Sequence, residues 1–234
     1  QHGTDQEPHY FFKISDEKRF STSLNFGYVH ETLTLDLEHN GYSEIGGLVM
    51  DPNYRGNKEK LGKQLSFARF LYIGMNIHEF TPLIHSELMP PLDENGNSLL
   101  WDFIGRKFLG MDYMEADILS RSNKEFILSL FPENPIYTNL LPINVRDIIG
   151  EVGPDTKGVK AMLEKIGFKY TKEVDPFDGG PHYRARTSEI IPIKNMISGD
   201  FKVENQAKTN NSRILFNIPN KKYPFYAITS DAII

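Results

Sequence analysis

Short β-rich runs alternating along the chain with segments of helical apolar spacing predict a mixed α/β (α+β) fold with helices laid between strands. The punctuation agrees, since Asn40-Gly41, Asp51-Pro52 and Pro90-Pro91 followed by Asp93-Glu94-Asn95-Gly96-Asn97 separate the runs with residues that favour turns. The 234 residues, 39% hydrophobic and 24% charged, suffice for one core of ordinary size plus a small appendage.

Tyr10 to Ile14 and Leu33 to Leu37 read as strands, and Ile45 to Met50 as a buried strand stopped by Asp51-Pro52, the three forming a meander. From Lys60 to Ile77 the residues Leu61, Leu65, Ala68, Phe70, Leu71 and Ile73 recur at helical spacing, which predicts a helix laid on the sheet. Leu83 to Leu88 reads as a strand, Leu99 to Met111 as a helix around Trp101, and Lys124 to Leu130 as a helix ended by Pro132. Asp147 to Val152 is expected to be a strand, Asp155 to Ile166 a helix closed by Gly167, and Phe168 to Val174 the last strand of the core. After about Asn195 the composition shifts, and the polar run Glu204 to Arg213 precedes two β-rich stretches, Ile214 to Ile218 and Phe225 to Thr229. The expected organisation is a core over residues 1–195 and a small C-terminal β appendage over residues 196–234.

The formal net charge of -5 and pI near 5.8 provide no general attraction to nucleic acid or to an anionic membrane, so neither is an expected partner. Any anionic ligand needs a local site. The absence of cysteine excludes a disulfide framework, a thiolate metal site and a cysteine nucleophile, and fits a reducing, cytoplasmic location. No apolar run approaches the roughly 18 residues that span a bilayer, and the polar start from Gln1 to His9 is no signal sequence. His30, His39, His78 and His85 stand at no metal-ligand spacing, so no metal is expected. The sequon Asn210-Asn211-Ser212 reads as a chance match, and the first residue, Gln1, as the start of a processed, engineered or fragmentary chain.

Two stretches carry chemistry. Leu48-Val49-Met50-Asp51-Pro52-Asn53-Tyr54-Arg55-Gly56 leads through a turn to Gly62-Lys63 and a helix, an arrangement in which backbone N–H groups and the helix dipole hold phosphate oxygens. Val152-Gly153-Pro154-Asp155-Thr156 runs into Lys157 to Lys165 and closes on Ile166-Gly167-Phe168. In this order the two resemble the pyrophosphate loop, and the wall beside the pantetheine arm, of the GNAT superfamily of acyl-CoA N-acyltransferases. The superfamily pattern has glycines three and five residues after the arginine, where this chain has Lys58 and Lys60.

A more specific resemblance runs from about Pro8 to the end. Trp101, Met111-Asp112-Tyr113, Ala116-Asp117, Pro135-Ile136-Tyr137-Thr138, Ile149-Gly150, Ala161 to Phe168 and Phe177-Asp178-Gly179-Gly180-Pro181 are similar in order and spacing to the arginine N-succinyltransferase family. The resemblance implies a GNAT-like core with a small C-terminal β module, and transfer of succinyl from succinyl-CoA to the α-amino group of L-arginine in arginine catabolism. CoA or succinyl-CoA is the implied acyl-donor ligand, with Leu48, Val49, Met50, Arg55, Gly56, Gly62 and Lys63 as its binding set and arginine or ornithine as the amine. Family members carry more chain ahead of the matching region, which implies a homo- or hetero-oligomer, or a separate N-terminal chain that completes the core.

Several residues depart from the family pattern. The family's proton-transfer histidine falls at Gly153, the tyrosine acid of other superfamily enzymes at Leu163, and a carboxylate-binding arginine at Met89. The catalytic residue is therefore unassigned, with two candidates. His182, just past the Gly179-Gly180-Pro181 turn, is expected at the solvent edge and is a replacement base; Glu87 matches a family glutamate and is suited either to holding an amine or guanidinium or to a pairing within the fold. Asp178 is expected to brace its own turn. These departures leave a second reading open, an inactive homologue that supports a partner subunit.

Overall fold

The structure, a computed structural model, describes residues 3–5, 7–200, 212–218 and 221–232. In chain order the elements are β1 (His9–Ser21), β2 (Phe26–Glu38), β3 (Ser43–Glu44), α1 (Leu61–Met75), β4 (Leu83–Glu87), α2 (Leu99–Phe103), α3 (Gly105–Leu109), α4 (Tyr113–Ser120), α5 (Glu125–Leu130), β5 (Ile136–Tyr137), α6 (Ile143–Arg146), α7 (Lys157–Lys165), β6 (Lys169–Val174), β7 (Pro181–Arg186), α8 (Ile191–Lys194), β8 (Ser212–Asn217) and β9 (Ala227–Ala232). They form a mixed α/β protein, as the alternation of patterns predicts. The chain divides into two compact units, one of Gln1–Ile45 and Leu83–Ala185, the other of Gly46–Pro82 and Arg186–Ile234.

The first unit is built on a seven-stranded sheet in the order β3-β4-β7-β6-β1-β2-β5. β3 pairs with β4 in parallel, while β7–β6, β6–β1, β1–β2 and β2–β5 are antiparallel. β1 and β2 run for 13 residues each, well past the strands expected at Tyr10 to Ile14 and Leu33 to Leu37. Their inner halves carry Phe12 and Leu33 into the core, and their outer halves form an exposed ladder around Phe20, Phe26 and Tyr28. The core centres on Trp101, whose ring stacks on Phe177 at 4.9 Å and 5°, with its Nε1 donating to the Met111 carbonyl at 3.1 Å.

Three expected elements differ. Ile45 to Met50 is not a strand: the ladder ends with Ile45 N donating to the His85 carbonyl at 2.8 Å, and Gly47, at φ 60°, turns the backbone away. Asp147 to Val152 is also not a strand, because turn bonds from Asp147, Ile148 and Ile149 to carbonyls three or four residues back prolong α6, and Gly150 takes φ 74°. The helix expected over Leu99 to Met111 breaks at Ile104 (φ -117°, ψ -76°) into α2 and α3.

Five further elements, α4, β5, α6, β7 and α8, lie where no element was expected. The start of α4 has a readable signal, since Asp112 accepts from the Glu115 amide, an N-cap with an acid three residues on. β7 reads as a polar run, His182 to Arg186, yet its residues are mostly buried.

In the second unit α1 packs along α8, with Gly74 against Met196 and Ile193. β8 and β9 pair antiparallel, and Thr229 Oγ1 donates to Gln64 Oε1 at 2.5 Å. Residues 201–211 lie outside the described residues, and with them most of the polar run Glu204 to Arg213. Among the described residues no helix is long and apolar enough to cross a membrane.

The Trp101–Gly105 contact is a packing test. A Cβ at Gly105 would come within 2.3 Å of the Trp101 ring, so Gly105→Ala is expected to cost about 1–3 kcal/mol by overpacking, read as a lower urea midpoint at unchanged m-value.

Candidate functional site

A strand sends alternate side chains to the same face. In β4 this pairs His85 with Glu87, in β7 His182 with Arg184, and in β1 His9 with Phe11. The sheet brings the three sets together. Glu87 Oε1 lies 3.4 Å from His85 Nε2, 3.5 Å from His9 Nδ1 and 3.8 Å from His182 Nε2. The imidazole centroids are 4.9 Å (His9–His85), 5.1 Å (His9–His182) and 4.9 Å (His85–His182) apart. All three histidines are buried, and the Glu87 side chain, 30% exposed, is the member open to solvent.

A second layer surrounds this cluster. Between Tyr170 and Val174 the register shifts, so that four steps along β6 match two along β7, and Lys172 takes φ 57° in the resulting bulge. The bulge turns Glu173 toward β7, where it accepts both arms of the Arg184 guanidinium, one at 3.0 Å. Thr171 Oγ1 fastens the bulge to the His182 carbonyl at 3.1 Å. Arg184 Nε donates to His85 Nδ1 at 3.2 Å, and its guanidinium carbon sits 4.0 Å from the Tyr42 ring centroid.

Burial alone would raise the Glu87 carboxyl; the His85 hydrogen bond and the facing His182 and His9 rings outweigh it and hold the group below the usual carboxylate range. For Glu173, too, burial is overcome by His182 and Arg184, and its pKa is lowered. His182 is pushed below the usual histidine range by burial, against the opposing pull of Glu173 and Glu87.

The turn between β6 and β7 sets the approach of β7 to β4. Asp175 Oδ1 accepts from the amides of Phe177 at 2.7 Å and Asp178 at 3.2 Å, and Asp178 Oδ1 accepts from Gly180 N at 2.7 Å, the bracing role expected of Asp178. Gly179 takes φ 80°, and a Cβ at Gly180 would come within 2.5 Å of the Leu88 carbonyl oxygen.

The other expected site residues fall as follows. His182 is not at the solvent edge but fully buried, because the run after the turn continues as β7 instead of opening into a loop. Gly153 N donates to the Met89 carbonyl at 2.9 Å, and a Cβ there would meet the Pro90 carbonyl oxygen at 2.7 Å. Leu163 is a core residue, while Met89 is exposed. The loop candidates belong to the second unit. Leu48 and Val49 are exposed, Arg55 Nε donates to the Met50 carbonyl at 3.1 Å, Gly56 takes φ 69°, and Lys63 Nζ lies 5.6 Å from the Phe67 centroid. Lys60, at one of the two positions where the superfamily pattern has glycine, takes φ 53°, the left-handed conformation that glycine adopts without strain. No side chain caps α1.

His9, Glu173 and Arg184 escape sequence reasoning. The alternations His85-Ser86-Glu87 and His182-Tyr183-Arg184 are visible once the strands are known, but nothing near His9 marks it.

The fold is shared with a solved succinyltransferase subunit. It superposes on "the structure of arginine/ornithine succinyltransferase subunit AI" from Pseudomonas aeruginosa with a TM-score of 0.70 at 28% identity, covering 82% of this chain and 55% of that one. Residues 1–192 match the family model described as arginine N-succinyltransferase beta subunit, and the chain belongs to that family. Arginine N-succinyltransferase of Yersinia pseudotuberculosis serotype O:3 (strain YPIII) is 34% identical over 223 residues, 93% of this chain and 63% of that protein. That of Escherichia coli O139:H28 (strain E24377A / ETEC) is 38% identical over 189 residues, 80% and 54%. The chain thus spans between about half and two thirds of the curated relatives it matches.

Two outcomes follow from this geometry. Gly153→His, which restores the family residue, is expected to lower stability by about 1–3 kcal/mol without creating a working base, because the Pro90 carbonyl occupies the space; a thermal melt beside an acyl-transfer assay reads both. Asp175 is pushed up to about 7, by burial and then by the Glu87 charge. Its neutral form is the one the fold favours, so this contribution to stability is present below the usual aspartate range and is lost as pH rises through about 7. Asp175→Asn keeps the Oδ1 acceptor, and is expected to gain on the order of 1–2 kcal/mol over the parent between pH 5 and pH 8, measured by urea unfolding at both.

Proposed function

We propose that the chain is part of an acyl-CoA-dependent N-acyltransferase that moves succinyl from succinyl-CoA to the α-amino group of arginine or ornithine. The observation that carries this reading is the family match over residues 1–192. The acyl-donor set is Leu48, Val49, Met50, Arg55, Gly56, Gly62 and Lys63. Support for it comes from the uncapped start of α1, whose first amides suit phosphate oxygens, and from the left-handed Lys60 at a glycine position of the superfamily loop. The active unit is an oligomer, homo- or heteromeric, in which further chain completes the core.

In the reaction the amine lone pair attacks the thioester carbonyl, the carbonyl electrons pass to oxygen, and collapse expels the CoA thiolate while the amine nitrogen gives up one proton. Neither the family's histidine position nor His182 suits that proton. Gly153 leaves no room for one, and His182 is sealed inside the sheet. The proton goes to water, and catalysis rests on positioning, which is worth more than the about 10²–10⁴ of a placed base.

Transfer, followed as CoA thiol release from succinyl-CoA and arginine, is expected to rise about tenfold per pH unit up to the amine's own pKa. A plateau near pH 6.5 would instead place an imidazole in the reaction. CoA binding by calorimetry should weaken with salt and with Arg55→Ala, and no binding at millimolar CoA would overturn the reading in favour of a supporting subunit.

A further inference from the structure

The three imidazoles around Glu87 stand farther off than a tight hydrogen-bonded cluster places its members. Carboxylate–imidazole hydrogen bonds close to about 2.7–2.9 Å. Here three imidazole nitrogens stand back from one oxygen, at 3.4, 3.5 and 3.8 Å. Donors about 2.0–2.1 Å from a tetrahedral ion lie about 3.3–3.4 Å from each other, which is the spacing observed. One donor atom from each of His9, His85, Glu87 and His182 lies within 4.8 Å of every other, so the wider separations contract when the four close on one ion.

The donor chemistry narrows the ligand. Three imidazoles and one carboxylate, with no thiolate, suit a first-row divalent ion such as zinc and suit magnesium or calcium poorly. Neither ring nitrogen of His182 has a hydrogen-bonding partner although both are buried. Its Nε2 faces Glu87, while its Nδ1 faces Glu173 Oε2 at 3.9 Å, the carboxylate–histidine arrangement that orients a metal-bound imidazole.

We propose that His9, His85, His182 and Glu87 form a site for one divalent transition-metal ion of the zinc type, with Glu173 as the outer carboxylate that orients His182. Four protein ligands close the coordination sphere, so the ion ties β1, β4 and β7 together instead of activating water. Binding through His85 Nε2 leaves the proton on Nδ1, where Arg184 Nε now donates, so loading opens that contact while Arg184 keeps its two bonds to Glu173.

The test is binding, and it is independent of any transferase activity. The purified chain, stripped with EDTA, is titrated with Co²⁺ and then Zn²⁺. Expected are one Co²⁺ per chain retained through gel filtration, the intense visible bands of four-coordinate Co²⁺, their loss on adding Zn²⁺, and a thermal midpoint raised by about 5–10 °C at hundredfold excess over Kd. His182→Asn and Glu87→Gln should weaken Zn²⁺ binding by more than about 100-fold and Glu173→Gln by about 10-fold, whereas His30→Ala and His39→Ala, on a half-buried and an exposed histidine outside the cluster, should leave it unchanged. Should the ligand variants fail to fold, X-ray absorption of the zinc-loaded parent decides: imidazole scattering from three ligands supports the site, and its absence overturns it. No retained Co²⁺, or binding that survives in folded His182→Asn, also overturns the proposal.

Discussion

A carboxylate drawn into a sheet among three imidazoles is the constraint around which the first unit is arranged. An ionised Glu87 left unpartnered there would cost several kcal/mol, so the surrounding strands must deliver polar partners to one point. They do so from three directions, with His85 two residues away on the same strand, His182 from β7 and His9 from β1. The bulge in β6 is part of the same solution. By turning Glu173 toward Arg184 it neutralises a guanidinium that lies between the Tyr42 face and His85, so the interior cation and the interior anion each have a counter-charge.

That convergence depends on how tightly the chain returns from β6 to β7. Leu88 N donates to the Pro181 carbonyl at 3.1 Å, and the Gly180 backbone passes so near the Leu88 carbonyl that a side chain has no space. With a larger residue at Gly180, β7 would be pushed from β4 and His182 from Glu87. The Asp-Gly-Gly-Pro run therefore has a structural reading beside its use as a mark of kinship. Asp175 and Asp178 hold the loop through its own amides, and burial raises both acids first, with the Glu87 charge adding to Asp175 and the Asp175 and Glu87 charges adding to Asp178.

The fold class was legible because long apolar patterns, such as Leu61 to Ile73, report which side of an element faces the core whatever the neighbours do. The family was legible because Pro135-Ile136-Tyr137-Thr138 and Phe177-Asp178-Gly179-Gly180-Pro181 are unusual runs in a fixed order. The polar cluster was not. β7 is mostly buried although its sequence, His-Tyr-Arg-Ala-Arg, is polar, because it runs between β4 and β6, where Arg184 meets both Glu173 and His85; hydrophobic periodicity reads such a strand as a solvated loop. His9 is separated from His85 by 76 positions and from His182 by 173, so no spacing rule for a local motif reaches it. The segments Ile45 to Met50 and Asp147 to Val152 failed for the opposite reason. Their apolar residues suit a strand, but Gly47 and Gly150 at positive φ take the backbone out of extended geometry.

The same comparison clarifies what the substitution at the family's histidine position means. Had Gly153 been a simple loss of a side chain, an open space would remain where the imidazole belonged. Instead the Pro90 carbonyl lies against Gly153 and Gly153 N bonds to the Met89 carbonyl, so the two segments have closed on each other. The adjacent Met89, at the position of a family arginine, joins that closure through its carbonyl, which also accepts from Thr156 Oγ1 at 2.8 Å. Two departures that lie 64 positions apart in sequence thus meet in one backbone contact. A chain shaped in this way has no vacancy awaiting a base, and the buried histidines elsewhere in the sheet are no substitute, since they face Glu87 and one another. Under the proposed function, transfer would therefore draw on what a positioned amine and a held thioester supply by themselves, while the imidazoles face one another within the sheet.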